Sequence, residues 1–381
     1  MMDISRTAIS QKQTLFPFTP STYNYPDTPK KSFVILPTKT VPEEAEKTAT
    51  DTPKVQEKSS ALISYGRVDK YKLIRGFSNK HANPVYLAKL DGQTSPSDSA
   101  AQLFVVKTLA LTDQSFISET NILALPPHKN IIACKEILKS VAVETNFETQ
   151  ICNAIVLEYA VNGDLYPYVE CGPLSEGICR FYFEQLLDAI EHLHNNGYCH
   201  LDIKPENILL DERFNLKLTD FGYAVPYTMT VGRKTVNSSC GTTAYYPPEA
   251  WSSAAKEKGY DGTKADVFQL GILLFIMLTG QPPFLKSVTQ DGWFALIARG
   301  RWDEFWDFKE KGLTTYSSIT ERPIFSSELR DLLRVMLEPQ PNMRTTIENI
   351  RKSRWFLETF PAEPIEVQFE MMNRKALKKL D

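Results

Sequence analysis

Apolar and polar positions divide the chain into segments of different character. Residues 1–62 hold few clustered apolar residues among many Pro, Thr, Ser, Lys and Glu, which predicts a disordered N-terminal extension. Residues 63–157 contain apolar runs of strand length, whereas residues 158–357 show apolar positions at helical spacing. The pattern predicts an α+β domain with a small β-rich N-lobe and a larger helical C-lobe, followed by a C-terminal tail at 358–381.

Individual elements follow from the same periodicities. Five strands are expected in the N-lobe, near 71–74, 85–90, 103–109, 132–143 and 151–158. Helices are expected near 114–125 and over 176–195. The longest apolar run, 270–278, is shorter than the about 20 residues that cross a bilayer, so it predicts a buried core helix and no membrane span.

Charge and cysteine usage narrow the possible partners and the compartment. The net charge of -3 predicts no bulk attraction to nucleic acid or to an anionic membrane. The six cysteines are scattered without a Cys-x-x-Cys pair, which favours thiols in a reducing compartment. Residues 1–13 lack the apolar core of a secretory signal. These features predict an intracellular protein, cytoplasmic or nuclear.

The chemistry is concentrated in one short unit. Residues 200–207 read His-Leu-Asp-Ile-Lys-Pro-Glu-Asn, and Asp-Phe-Gly follows at 220–222. This unit supplies two carboxylates, an amide and an ammonium, which can hold a metal ion and a nucleotide phosphate beside an acceptor hydroxyl. It resembles the catalytic loop and metal-binding motif of eukaryotic protein kinases of the serine/threonine type. The resemblance extends over about residues 68–357 and implies the bilobal protein kinase fold.

The resemblance assigns roles to four residues of this unit. Asp202 would accept the proton of the acceptor hydroxyl, and Lys204 would neutralise charge on the transferred phosphoryl group. Asn207 and Asp220 would hold a metal ion, because hard oxygen ligands suit Mg²⁺, or alternatively Mn²⁺. The cofactors implied are therefore ATP and Mg²⁺ (or Mn²⁺), and the implied partners are protein substrates.

The same resemblance predicts the nucleotide cleft. Lys107, at a strand end, would grip the α- and β-phosphates, and Glu119 on the following helix would orient it. Leu157 would lie behind the adenine as gatekeeper, and Asp164 would reach ribose or a basic substrate. The remaining expected ATP contacts are Val85, Val105, Glu158, Ala160 and Leu209. Alanine is usual where Val105 stands, so we expect a narrower adenine slot.

Four further residues are expected to support the site. Thr242 would bond near Asp202 and Lys204, a pattern typical of serine/threonine kinases. Residues 241–249 resemble the end of the kinase activation segment, and Glu249 would form a buried ion pair with Arg344 beneath it. Asp266 would anchor the backbone of the catalytic loop, cap the N-terminus of its own helix, or do both.

The phosphate-covering loop departs from the kinase pattern. Its three glycine positions align with Ser78, Lys80 and Asn83, and Gly76 lies two residues too early unless the loop contains a bulge. Glycine allows backbone to approach phosphate closely. We therefore expect weaker nucleotide binding or a more mobile lid.

Leu201 is a second departure, because many kinases place arginine there to pair with a phosphorylated activation segment. The sequence thus predicts that activity depends little on phosphorylation at Thr235, Ser238 or Ser239. The leading hypothesis is an active serine/threonine kinase, loosely of the calcium/calmodulin-dependent and AMP-activated group. A pseudokinase scaffold or allosteric partner is the main alternative, and a small-molecule kinase is a third.

The tail adds a possible partner. Its last sixteen residues, 366–381, mix apolar side chains with Arg374, Lys375, Lys378 and Lys379. This segment could pack on the helical lobe or bind a calmodulin-like partner. A regulatory partner of the N-terminal or C-terminal extension is therefore left open.

Overall fold

A six-stranded antiparallel barrel forms the N-lobe. The computed structural model describes residues 65–78, 83–92, 102–145, 148–230, 232–238, 241–317 and 325–378. The predicted N-terminal extension lies outside these residues. The barrel closes because β1 pairs with both β2 and β5, in the order β1-β2-β3-β4-β6-β5. Its strands are β1 Gly66–Val68, β2 Tyr71–Ser78, β3 Val85–Leu90, β4 Leu103–Leu109, β5 Cys134–Thr145 and β6 Thr149–Glu158.

The first helix, α1 (Ser115–Leu123), connects β4 to β5 and lies within the span that the sequence predicts. It buries Phe116, Glu119 and Ile122. A buried glutamate is costly unless it is paired, so its position in α1 points to a partner across the lobe.

The C-lobe is built mainly from ten helices of the described chain. They are α2 Tyr166–Glu170, α3 Glu176–Asn195, α4 Ser253–Lys258, α5 Gly262–Thr279, α6 Gly292–Ala298, α7 Trp302–Ser317, α8 Ser327–Met336, α9 Ile347–Arg351, α10 Arg354–Glu358 and α11 Pro364–Lys378. Helix α3 has the predicted bounds, and Ser175 caps it by accepting from the backbone N–H of Ile178 at 3.3 Å.

Helix α5 is apolar on all sides and lies at the centre of the lobe. By length and composition it could cross a membrane, but 89% of its apolar stretch is buried inside the protein. It begins at Gly262, where Asp261 caps it by accepting from the N–H groups of Thr263 and Lys264. The prediction that Asp266 caps this helix is therefore wrong: Asp266 lies more than one turn inside it.

Seven short strands complete the C-lobe and border the cleft. They are β7 Tyr198–Cys199, β8 Ile208–Leu210, β9 Leu216–Leu218, β10 Val225–Pro226, β11 Thr228–Thr230, β12 Arg233–Val236 and β13 Tyr260–Asp261. The pairs β8-β9 and β10-β7 flank the two ends of the catalytic motif. One apolar core runs from Leu157 of β6 through α3 and α5 to Met371 of α11, so the lobes share packing beneath the site.

Candidate active site between the lobes

The carboxylate of Asp202 is the centre of the catalytic loop. It is 1% exposed and accepts hydrogen bonds from Lys204 Nζ at 2.8 Å, Asn207 Nδ2 at 3.0 Å and the N–H of Thr242 at 2.8 Å. Lys204 Nζ also donates to Thr242 Oγ1 at 2.7 Å. The structure thus brings Lys204, Asn207 and Thr242 together around Asp202, and both oxygens of Asp202 are held in fixed directions.

Close packing beside Asp202 explains why a glycine, Gly241, stands after strands β11 and β12. A Cβ atom at Gly241 would lie 2.2 Å from Asp202 Oδ1, so any other residue would displace the carboxylate. The backbone N–H of Gly241 donates to the carbonyl of Leu201 at 3.0 Å. Gly241 therefore lets the next residue, Thr242, approach Asp202.

Asp266 anchors the loop from below, as expected. It is fully buried and accepts from the N–H of His200 at 3.0 Å and that of Leu201 at 2.8 Å. His194 Nε2 lies 2.8 Å from the same carboxylate. These contacts hold Leu201 at φ 63°, a left-handed conformation that is strained for leucine.

Gln269 is a second anchor that the sequence reasoning missed. Its Oε1 accepts from the N–H of Ile203 at 2.9 Å, and its Nε2 donates to the carbonyl of Leu201 at 2.9 Å. It is fully buried one helical turn after Asp266. That i, i+3 spacing was the available signal, because residues three apart on a helix lie on one face.

Lys107 bridges two carboxylates from opposite lobes. Its Nζ donates to Glu119 Oε1 of α1 and, at 3.1 Å, to Asp220 Oδ1 of the C-lobe. Burial opposes the charged ammonium, but Asp220 and Glu119 together raise the pKa of Lys107. Burial raises the pKa of Glu119 to about 7, whereas Lys107 keeps the pKa of Asp220 below its usual value despite burial. The strand lysine and helix glutamate therefore meet as predicted.

Asp220 and Asn207 are brought together by a backbone hydrogen bond. The N–H of Thr219, the residue before Asp220, donates to the carbonyl of Asn207 at 3.0 Å. The Asn207 amide nitrogen is committed to Asp202, which leaves its side-chain oxygen as the possible ligand atom. The Asp220 side chain is 41% exposed. One carboxylate and one amide oxygen, brought close together in this way, suit a hard divalent cation.

The expected adenine slot is lined by apolar side chains from both lobes. Val85 pairs with Lys107 across β3 and β4, and Val105 pairs with Leu157 across β4 and β6. Leu157 and Ala160 belong to the buried core cluster, and Val105 and Leu209 pack against it. The structure therefore places Val85, Val105 and Leu157 on adjoining strands, Ala160 just after β6 and Leu209 on β8 of the C-lobe.

Glu158 and Asp164 have partners of their own. The Glu158 carboxylate accepts from the N–H of Ala133 at 3.0 Å and pairs with Lys217 at 2.9 Å. Its backbone N–H donates to the carbonyl of Ala133 at 2.9 Å, so a base would meet Glu158 through its backbone carbonyl. Asp164 Oδ1 accepts from the N–H of Tyr166 at 3.1 Å. The backbone of Asp164 also forms an isolated antiparallel β-bridge with that of Leu209.

The phosphate-covering loop, or lid, contains the bulge that the sequence analysis left open. The β2-β3 register shifts between Gly76 and Ser78, as a bulge requires. Asn83 Nδ2 donates to Asp113 Oδ2 at 2.7 Å, which ties one lid end to the segment before α1. Lys80 lies outside the described residues, so the expected lid mobility stays a prediction.

The floor of the activation segment is fixed by the predicted ion pair. Arg344 is 2% exposed and donates from Nη1 and Nη2 to the two oxygens of Glu249, at 2.7 and 2.9 Å. This two-pronged geometry is the strong form of an arginine–carboxylate contact. It joins the residue after Pro248 to the loop before α9.

The two lobes, the lysine–glutamate pair and the anchored loop define a protein kinase fold. The family described as the protein kinase domain matches residues 97–356, and the chain belongs to this family. Its members use ATP with a divalent metal ion. The match begins after β3, so it leaves out the strands on either side of the degenerate lid.

Plant kinases are among the similar proteins. The chain is 34% identical over 255 residues to CBL-interacting serine/threonine-protein kinase 20 of Arabidopsis thaliana, covering 67% of this chain and 51% of that protein. It is 32% identical over 252 residues to CBL-interacting protein kinase 26 of Oryza sativa subsp. japonica, covering 66% and 45%. The chain spans about half the length of the curated relatives it matches.

Proposed function

We propose that this protein is a serine/threonine kinase that transfers the γ-phosphoryl group of ATP to protein hydroxyls. The observation that carries the proposal is the contact of Lys107 with both Glu119 and Asp220. This contact aligns the two lobes around the cleft. The plant relatives, named as serine/threonine-protein kinases, support the same activity.

Each residue of the site has a role in this proposal. Lys107 binds the α- and β-phosphates, and Glu119 keeps its ammonium pointing into the cleft. Asp202 accepts the proton from the substrate hydroxyl, while Lys204 faces the transferred phosphoryl group. Thr242, which bonds to both, fixes their spacing. Val85, Val105, Leu157, Ala160 and Leu209 enclose the base, with the backbone of Glu158 at the hinge and Asp164 beside the ribose.

Asn207 and Asp220 are the residues proposed to hold Mg²⁺, or Mn²⁺. Both offer oxygen atoms to the cleft and lie next to each other through the Thr219 hydrogen bond. A bound divalent ion would neutralise charge on the phosphates. Asp220 adopts φ 60°, and this left-handed turn directs its carboxylate towards Lys107.

Asp220→Asn is expected to abolish phosphoryl transfer, because the metal site loses its carboxylate while the fold is retained. The measurement is incorporation of labelled phosphate into a generic protein substrate with Mg²⁺ and ATP. Asp303→Asn, an exposed aspartate of α7, is the matched control and should keep the wild-type rate. Equal labelling by wild type and Asp220→Asn would point to a contaminating kinase and would favour the pseudokinase scaffold.

We propose further that activity depends little on phosphorylation of the activation segment. Leu201 is fully buried in an apolar cluster with Cys199, Val236 and Tyr260. Strand β12, which carries Thr235 and Val236, is also paired to β11 and β13. Apolar packing and strand pairing thus hold the activation segment in place. In many kinases a contact between an arginine and a phosphate has this role.

Phosphatase-treated protein is expected to keep its rate, and so is Thr235→Ala combined with Ser238→Ala and Ser239→Ala. Mass spectrometry would establish that the phosphate is gone before the assay. Leu201→Met serves as the volume-conserving control. Loss of activity after phosphatase treatment, restored by rephosphorylation at one of these sites, would contradict the proposal.

A further inference from the structure

Helix α11 lies beyond the residues that the kinase family matches and is fixed to the C-lobe. Val367 and Met371 are buried beneath it. Arg374 donates to the carbonyls of Tyr168, Gly172 and Pro173, at 3.0, 2.8 and 2.7 Å. The end of α2 therefore holds α11 in one orientation. Of the two alternatives for the tail, docking on the helical lobe is the one observed.

The outer face of α11 is apolar and exposed. Ile365, Phe369 and Met372 are 72%, 68% and 61% exposed. Their i, i+4, i+7 spacing places them in one stripe about 10 Å long. Single exposed apolar residues are ordinary, but a stripe of three large ones on a rigid helix marks an interaction surface.

A groove of about 740 Å³ runs along this stripe. Its walls are α11 on one side and the start of α3 on the other, where Pro173 and Ile178 add apolar surface. A volume of this size matches sites that take a ligand or several side chains of a partner. The groove therefore offers room for the apolar face of a helix.

Charges around the groove select the partner. Glu366 and Glu370 line it, and Glu363 is exposed one turn before Glu366. The one lining arginine, Arg374, is bound to three carbonyls and paired with Glu370 at 2.6 Å. The charges of Arg374 and Glu370 offset each other, and Glu363 and Glu366 carry the remaining negative charge. The rim is acidic, and acidic rims favour basic partners.

We propose that the groove between α11 and the start of α3 docks a basic amphipathic helix of another protein. Leucine-like side chains at i, i+4 and i+7 of that helix pack on Ile365, Phe369 and Met372. Its lysine or arginine residues face Glu363 and Glu366. This is helix-in-groove recognition, with apolar anchors for affinity and charge for selectivity.

The test uses fluorescein-labelled peptides of about four helical turns, with leucine at helix spacing and lysine elsewhere. A second peptide has glutamate in place of lysine, and a third has the leucine spacing scrambled. Fluorescence anisotropy with the full chain should show binding of the first peptide only. Phe369→Ala and Glu366→Lys should each weaken that binding about tenfold or more, with kinase activity unchanged.

Matched controls separate the groove from other sites. Met343→Ala removes an apolar side chain that is 71% exposed elsewhere, and Glu348→Lys reverses an exposed charge of α9. Both should leave peptide affinity unchanged. Glu206→Lys, beside the catalytic loop, should also leave it unchanged, which separates the groove from the substrate cleft.

Three outcomes would overturn the proposal. The first is equal affinity for the lysine and glutamate peptides. The second is binding that Glu206→Lys abolishes and Phe369→Ala does not, which would place the peptide in the catalytic cleft. The third is a dimer in sedimentation that Phe369→Ala dissociates, which would assign the groove to a second copy of this chain.

Discussion

Asp202→Asn is expected to lower kcat for phosphoryl transfer by about 10²–10⁴-fold, with little change in KM for ATP. The carboxylate is the group placed to take the proton of the substrate hydroxyl, and an amide cannot take it. The nucleotide contacts rest on Lys107 and the hinge, away from Asp202. The measurement is steady-state kinetics with ATP and a protein substrate varied separately.

The control for Asp202→Asn addresses folding. Three donors face the carboxylate, so an asparagine NH₂ group there meets at least one of them unfavourably. Thermal unfolding should therefore show a small decrease in the melting temperature, and the ATP affinity of the variant should stay close to that of wild type. A wild-type kcat in this variant would show that Asp202 does not accept the proton of the substrate hydroxyl.

Local periodicity placed strands β2 to β6 and helices α1 and α3, but not the smaller elements of the C-lobe. The predicted helix over 176–195 has the observed bounds, because apolar period and N-cap agree there. The start of α5 was missed because Gly262 follows the true cap, Asp261, and glycine is a poor helix former. The three-residue strand β1 was missed because so short a run carries no periodicity.

The order of motifs along the chain predicted which candidate residues meet, such as Lys107 with Glu119 and Arg344 with Glu249. It did not reveal the contacts that hold them, such as those of Gln269 to the catalytic loop and of His194 to Asp266. Nor could it show that Leu201 is buried, since that burial depends on β12, β13 and α5 coming together. These anchoring contacts and the burial of Leu201 depend on packing between residues far apart in the chain. A single sequence shows such packing only indirectly.

Glu249→Ala is expected to reduce the free energy of unfolding by about 3–5 kcal/mol. The side chain of Arg344 is fully buried and that of Glu249 is 11% exposed, so the substitution leaves an uncompensated positive charge out of water. Arg344 keeps its bonds to the carbonyls of Glu338 and Lys264, which hold the guanidinium in place. The guanidinium therefore cannot turn to solvent to recover its hydration.

Urea unfolding measures this loss, and two further variants test its cause. Glu358→Ala removes the partner of Arg354 in an exposed i, i+4 pair, and should cost much less stability, because solvent screens that pair. Combining Glu249→Ala with Arg344→Met removes the buried charge itself and should recover part of the stability. If Glu249→Ala and Glu358→Ala cost the same, burial does not set the strength of the first pair. A loss confined to the buried pair would instead show that the activation segment's floor rests on one charge held away from water.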